Sequence, residues 1–329
     1  MKTIIKGVAA TLCLSWILPI FVVDAAAETA PTIENMRYGK YKENVMDIYL
    51  VDSATPVPLA IFIHGGGFKS GTKTQVDDTD VKETLLAAGI SVATIDYRVT
   101  SDKEYTLDQI LREDMTLAVQ MLRHRAASLN IDPAHFAAWG NSAGAGAALY
   151  LGVADDIADP TNTDPVRRQS SKIQVVGHLA GQSTYDTTQW ASIVDVDPNW
   201  AELSEFEDDL YWFNVDSRDQ ITPEMYAKVD IAALFTADDA AIYSEKTPDR
   251  YGTDAGPINL DFDSIVDDDE REEAKRAARV LIAHSSKHAS FIGEHCTAVG
   301  LTCEIITTIE PGPKRELSDF MIEQLLPTP

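Results

Sequence analysis

Ser142 stands in the stretch AAWGNSAGAGA, with Gly140 and Gly144 two residues to either side. A serine hydroxyl alone is a weak nucleophile. It attacks a carbonyl carbon only when a base takes its proton and a third group orients that base. The Gly-x-Ser-x-Gly spacing suits that use, because glycines allow a tight turn and a close backbone approach. HFAAWG before it reads as a strand and Ala143 to Val153 after it as a helix, the setting a serine-presenting elbow requires. An inert glycine-rich strand–helix turn has the same local composition, so the chemistry depends on partners elsewhere.

HGGGF at 64–68 offers the first partner. Consecutive glycines after an apolar run expose backbone N–H groups. Those of Gly66 and Gly67, with that of Ala143, are candidates for an oxyanion hole. A phosphate-binding loop would need a Gly-Lys-Ser/Thr ending or dinucleotide spacing, and neither is present. His64 is read as structural rather than catalytic.

The elements that must position these groups follow from periodicity. Residues 35–52 alternate as a two-stranded hairpin. PLAIFI before the glycines is a continuous apolar run, as in a strand buried on both faces. A helix is expected from Gln75 to Ala88, strands at 91–98 and 135–140, and a long helix over 106–130, where apolar residues recur at helical spacing. Further strands are expected at 173–181 and 302–309, with a last helix in RELSDFMIEQLL. DDDEREEAKRAARVLIAH (267–284) has acids first and bases later, matching a helix dipole. It is either one helix or a helix passing into a strand RVLIAH. Strands alternating with helices predict an α/β fold, a mostly parallel twisted sheet with helices on both faces. The pattern breaks at about 183–230, an acidic and aromatic insertion containing Trp190, Trp200, Tyr211, Trp212 and Phe213. These residues suit either an acyl or aryl pocket or the core of a lid. A second irregular stretch covers about 250–270, giving a single domain over 28–329.

His64-Gly65-Gly66-Gly67, DYR at 96–98 and IDPAHFAAWGNSAGAGAAL at 131–149, in that order, resemble the α/β-hydrolase superfamily, and within it the HGGG esterase and lipase group related to hormone-sensitive lipase and secreted carboxylesterases. The resemblance covers about residues 40–186. It implies hydrolysis of short-chain carboxylic esters through a Ser-Asp/Glu-His triad, no cofactor, and a cap formed by the 183–230 insertion.

The end of the chain departs from that pattern. The resemblance places the histidine base after the last strand, yet the loop there reads IEPGPKREL and holds Lys314 and Arg315 instead. Arginine does not act as a base at neutral pH, and lysine does so only when strongly desolvated. His288 and His284, in HSSKHASF, are the substitute bases, with His178 third and read as a core histidine. His124 and His135 lie at the wrong ends of their elements. If AAIYSE is the penultimate strand of the sheet, Asp249 holds the acid position. If RVLIAH is that strand, Glu294 is the nearest carboxylate. Two functions stay open: a serine esterase with a displaced or degenerate base, or a hydrolase-fold protein that binds without cutting.

Composition bounds the rest. The 329 residues carry a net charge of −25 at pH 7, which argues against nucleic acid and anionic membranes as partners. Lys2 and Lys6, the apolar run from Gly7 to Val23 and Ala25-Ala26-Ala27 have the layout of a signal peptide, expected to be cleaved after residue 27. The mature chain would then be secreted or periplasmic, without a membrane span. Its cysteines, Cys296 and Cys303, are either a disulfide, which export permits, or two buried thiols. No metal-site spacing is present. The expected ligand is a small-molecule or polymer-derived ester, and the oligomeric state is not readable.

Overall fold

The computed structural model describes residues 28–101, 103–195, 208–246, 265–307 and 315–326. The expected signal peptide, Trp200, Asp249, Lys314 and most of the 250–270 insertion lie outside these.

An eight-stranded sheet runs in the order β1-β2-β4-β3-β5-β6-β7-β8. Its strands are β1 (Ile33–Arg37), β2 (Val45–Tyr49), β3 (Val57–Ile63), β4 (Ser91–Ile95), β5 (Ile131–Asn141), β6 (Val175–Leu179), β7 (Ala241–Glu245) and β8 (Cys303–Ile306). β1 and β2 form the antiparallel hairpin, β2 also pairs antiparallel with β4, and all other pairings are parallel. The carboxyl ends of β3, β5, β6 and β7 therefore share one edge.

The helices are α1 (Val81–Ala87), α2 (Leu107–Gln109), α3 (Thr116–Leu129), α4 (Ala143–Val153), α5 (Trp190–Val194), α6 (Asp208–Trp212), α7 (Pro223–Ala227), α8 (Asp268–Ala283), α9 (Ser286–Val299) and α10 (Leu317–Leu325). Side chains alternate across β3. Ile61 and Ile63 join α3, α4, α8 and α9 in one core, while Ala60 and Phe62 join Trp139, α1 and α10 in the other. Each face of the sheet thus has its own helical layer.

Two expectations change in detail, and one alternative left open is decided. The single helix over 75–88 is a 3-10 turn, Lys73–Asp78, followed by α1, with Thr79 extended between them. The side chains of Asp78, Thr79 and Asp80 compete for backbone groups and favour a break there. The 106–130 helix carries a π-helical segment, Ile110–Met115, which turns Asp114 inward onto Arg98 (N–H···Oδ2 2.9 Å, Nε···Oδ1 3.0 Å). RVLIAH is helical: Ala278 and Ile282 fall four apart on the buried face of α8, whose N-cap Asp267 accepts from the Asp269 and Glu270 amides. AAIYSE is accordingly the penultimate strand of the sheet. Cys296 on α9 and Cys303 on β8 form a disulfide. Among the described residues no helix is long and apolar enough to cross a membrane.

Candidate active site

Ser142 lies between β5 and α4 with φ 53° and ψ −123°, a positive-φ conformation that non-glycine residues rarely adopt. Its N–H donates to Leu179 O at 3.0 Å, tying the turn to the end of β6. The flanking glycines are required by contact with β3. A methyl group at Gly144 would stand 2.0 Å from Ile63 O, and one at Gly140 would stand 2.4 Å from the same oxygen. The end of β3 therefore lies directly against the turn and delivers the 64–68 loop beside Ser142.

That loop is fixed from several sides. Gly66 (φ 109°) and Gly67 (φ 63°) adopt backbone conformations open to glycine. Tyr97 donates its hydroxyl to His64 O at 2.8 Å, Thr100 N–H donates to Phe68 O at 2.8 Å, and Asp96 accepts the Lys73 N–H at 2.6 Å. The DYR stretch thus braces the glycines. His64 is buried, stacks on Tyr97 with centroids 4.1 Å apart, and donates from Nδ1 to Gly65 O at 2.8 Å. Burial lowers its pKa, so it is a neutral brace, as its place in the motif suggested.

The planar trans peptide aims each N–H opposite the preceding carbonyl. Gly65 O is held by His64. Gly66 O accepts from Lys69 N–H (3.0 Å) and Ser70 N–H (3.2 Å), and Ser142 O accepts from Ala145 N–H (2.9 Å) and Gly146 N–H (3.2 Å). The peptide planes carrying the N–H groups of Gly66, Gly67 and Ala143 are thus pinned from behind, as a preorganised oxyanion site requires. Ala143 is also the first residue of α4, where amides lack intrahelical acceptors and the helix dipole is positive.

A cleft of about 700 Å³ opens over Ser142. Gly65, Gly66, Gly67 and Asn141 form its floor, and Gln182, Trp190, Trp212 and His284 stand around it. The two candidate histidines part company here. His284 caps the C-terminus of α8, lines the cleft, and donates from Nδ1 to Ala180 O at 2.7 Å. Burial lowers its pKa; the Ala180 bond opposes that shift, and the nearby charge of Lys246 adds to it. The ring is therefore neutral at pH 7, with Nε2 as its basic nitrogen. Ala180 itself is left-handed (φ 49°), and its N–H is held by Glu245 O at 2.7 Å.

His288, the other candidate base, does not line the cleft. It sits in the first turn of α9, fully buried and edge-on to Trp190. Its Nδ1 lies 3.0 Å from Ser183 Oγ and its Nε2 3.2 Å from Ile282 O. Burial pushes its pKa down to about 3. Four residues after His284, the chain has entered a new helix whose inner face looks into the core. His178 is likewise a satisfied core residue, bonded to Ser244 Oγ (2.9 Å) and Gln182 O (3.3 Å), with its pKa lowered by burial to about 4. Glu294 is exposed beside the disulfide, and Arg315 pairs with Glu304 at 2.7 Å; neither lines the cleft. Asp249 follows β7, as the acid position requires, but lies outside the described residues.

The described residues of the 183–230 insertion dock on the glycine loop through Trp212 and Asp208. Trp212 Nε1 donates to Gly67 O at 2.9 Å, and Lys69 pairs with Asp208. Trp190 and Trp212 pack edge-to-face and line the cleft, whereas Phe213 packs on Tyr226 within the insertion. Of its aromatics in the described residues, two thus face the cleft and one packs inside the insertion. Sequence reasoning missed Gln182, whose Nε2 donates to Ala283 O at 2.7 Å and tethers the end of α8 beside His284. Its position just past the carboxyl end of β6 was the available signal.

Comparisons place this geometry. The truncated form of a carbohydrate esterase from gut microbiota superposes with a TM-score of 0.59 at 17% identity, over 89% of this chain and 95% of that one. The acetyl ester-xyloside bifunctional hydrolase of Caldicellulosiruptor lactoaceticus gives 0.55 at 18% identity, over 86% and 82%. An esterase of Thermogutta terrifontis, Est2, gives 0.53 at 18% identity, over 85% and 81%. These likenesses establish the α/β-hydrolase fold. Curated protein sequences give no match. The BD-FAE family profile matches residues 46–234, more than half of the sequence, and the chain belongs to that family, a hormone-sensitive-lipase-like group of α/β-hydrolase esterases.

Proposed function

We propose that the chain is a serine esterase working through an acyl-enzyme on Ser142, with His284 as a displaced base. The observation that carries this reading is the presence of both side chains in one cleft, over three pinned backbone amides. Nε2 of His284 takes the serine proton as Oγ attacks the ester carbonyl. The amides of Gly66, Gly67 and Ala143 hold the oxyanion, and His284 then protonates the departing alcohol. Water repeats the sequence to release the acid. The Ala180 carbonyl supplies the orienting contact that a carboxylate supplies in a complete triad: it fixes the tautomer but brings no full negative charge. Asp249, beyond β7, is assigned that charge on its sequence position. The proposed substrates are carboxylic esters with short acyl groups, as the resemblance to the HGGG esterase group implies; one structural neighbour is named as an acetyl ester-xyloside bifunctional hydrolase. We also place the mature protein outside the cytoplasm. The signal-like leader and the Cys296–Cys303 disulfide support this.

The test is hydrolysis of p-nitrophenyl esters, acetate to octanoate, by native protein beside Ser142→Ala. Turnover is expected in the native chain, with kcat lower by about 10³-fold or more in the variant. Equal rates in the two would favour the binding-only reading, which rests on the histidine-free stretch between β8 and α10.

A further inference from the structure

The cleft wall formed by α8 presents two guanidinium groups, Arg276 and Arg279, in a chain whose net charge is −25. Several other arginines are occupied. Arg98 is held by Asp114, Arg123 by the carbonyls of Pro133 and Lys172, Arg218 by Asp209 and Arg315 by Glu304. Among the described residues none pairs with the guanidinium of Arg276, which is exposed, or of Arg279, whose Nε is buried with no acceptor. A buried charged donor left unsatisfied is costly, and in native structures a protein group, an ordered water or a ligand supplies its acceptor. Of the other charges lining the cleft, Lys69 and Asp208 neutralise each other and the exposed Asp78 offsets one guanidinium, so the lining keeps one net positive charge. A planar guanidinium matches a carboxylate with two parallel hydrogen bonds.

We propose that the preferred substrates are esters whose alcohol portion carries a carboxylate, bound by Arg279 and Arg276. This rests on the reading of Ser142 and His284 given above. The side of the ester follows from the helix. His284, at the end of α8, protonates the departing oxygen, so the alcohol lies against α8. Arg279 is five residues back from His284, about 7.5 Å along the axis, and Arg276 lies about 4.5 Å beyond it. That spacing suits an acid group a ring's length from the ester oxygen. In the reaction Ser142 Oγ bonds the acyl carbon, the bond from that carbon to the alcohol oxygen breaks, and that oxygen takes the proton from His284. The carboxylate is unchanged.

The test compares 4-acetoxybenzoate with the neutral 4-acetoxybenzamide, each kcat/KM divided by the spontaneous hydrolysis rate of that ester. The native protein is expected to favour the anion by roughly ten- to a hundredfold, a charged hydrogen-bonded pair's worth. In the Arg276→Gln/Arg279→Gln double variant that ratio collapses towards one. A native ratio near one, or a ratio that the double variant leaves unchanged, overturns the inference. Calorimetric binding of 4-hydroxybenzoate and 4-hydroxybenzamide to the same proteins reads the arginines without turnover. Anion-selective binding that the double variant abolishes, in a protein that cleaves neither ester, supports the arginine site and defeats the esterase reading alone. Turnover with no anion preference defeats the arginine site alone.

Discussion

The backbone turn at Ser142 and the Nδ1 proton of His284 are held by short-range contacts with the end of β6, and those contacts bear on what each residue can do. Leu179 O and the first turn of α4 hold the serine turn, while Ala180 O holds Nδ1 of His284. Because burial lowers the His284 pKa from 6.5, kcat/KM for p-nitrophenyl acetate is expected to rise with pH through a midpoint below 6.5 and to stay level above it. Neutral imidazole is the form that accepts the serine proton, so acidification removes activity. His284→Asn is expected to lower kcat by about 10²–10⁴-fold and to erase that acid limb. An unchanged pH–rate profile in the variant would assign the base elsewhere. The turn at Ser142 and the loop of Gly66 and Gly67 were legible in the sequence because their requirements are local: a tight turn and a positive-φ backbone that favours glycine. The choice between His284 and His288 was not. Four residues separate them, and that interval contains the end of one helix and the start of the next.

At the scale of elements, β3 and β5 bring the glycine loop to the serine, and the DYR stretch after β4 locks it there. The hydrogen bond from His64 to Gly65 O orients the peptide whose other end is the Gly66 N–H. His64→Leu is therefore expected to lower kcat by tenfold or more, towards the 10²–10³-fold loss of a whole oxyanion donor, with a smaller change in KM. Steady-state kinetics on p-nitrophenyl acetate check this, with a thermal melt to confirm that the variant folds. An unaltered kcat in a folded variant would mean that the Gly66 amide is held without His64. α8 is the element whose reading mattered most. Its apolar residues, Ala278 and Ile282, fit either a short strand or a helix face when seen in RVLIAH alone. The acids and Asp267 cap ahead of them decide for the helix, and the helix carries His284, Arg276 and Arg279 to one wall.

For the molecule as a whole, the buried histidines couple folding to pH. His178 and His288 have folded pKa values of about 4 and about 3, against 6.5 in the unfolded chain. Below 6.5 the unfolded state binds protons that the folded state refuses. Their contribution is thus fully present above pH 6.5 and is lost as pH falls towards those values, by up to about 1.4 kcal/mol per pH unit for each. Asp209 acts oppositely: burial raises its pKa to about 6, so it offsets part of the loss between about pH 6 and 3.8. The melting temperature is expected to be level above pH 6.5 and to fall by roughly 5 °C on going to pH 4.5. A melt that is flat across that range would show that one of the two histidines is protonated in the fold. The sequence by itself determined the α/β alternation, the serine turn and the glycine loop, since each is written in adjacent residues through periodicity and backbone freedom. Only the tertiary structure decided which histidine joins Ser142 in the cleft and which arginines stand beside them. Those placements depend on where α8 ends against β6, and that end is set by distant contacts, the Gln182 tether to Ala283 O and the packing of Ile282, which no local stretch records.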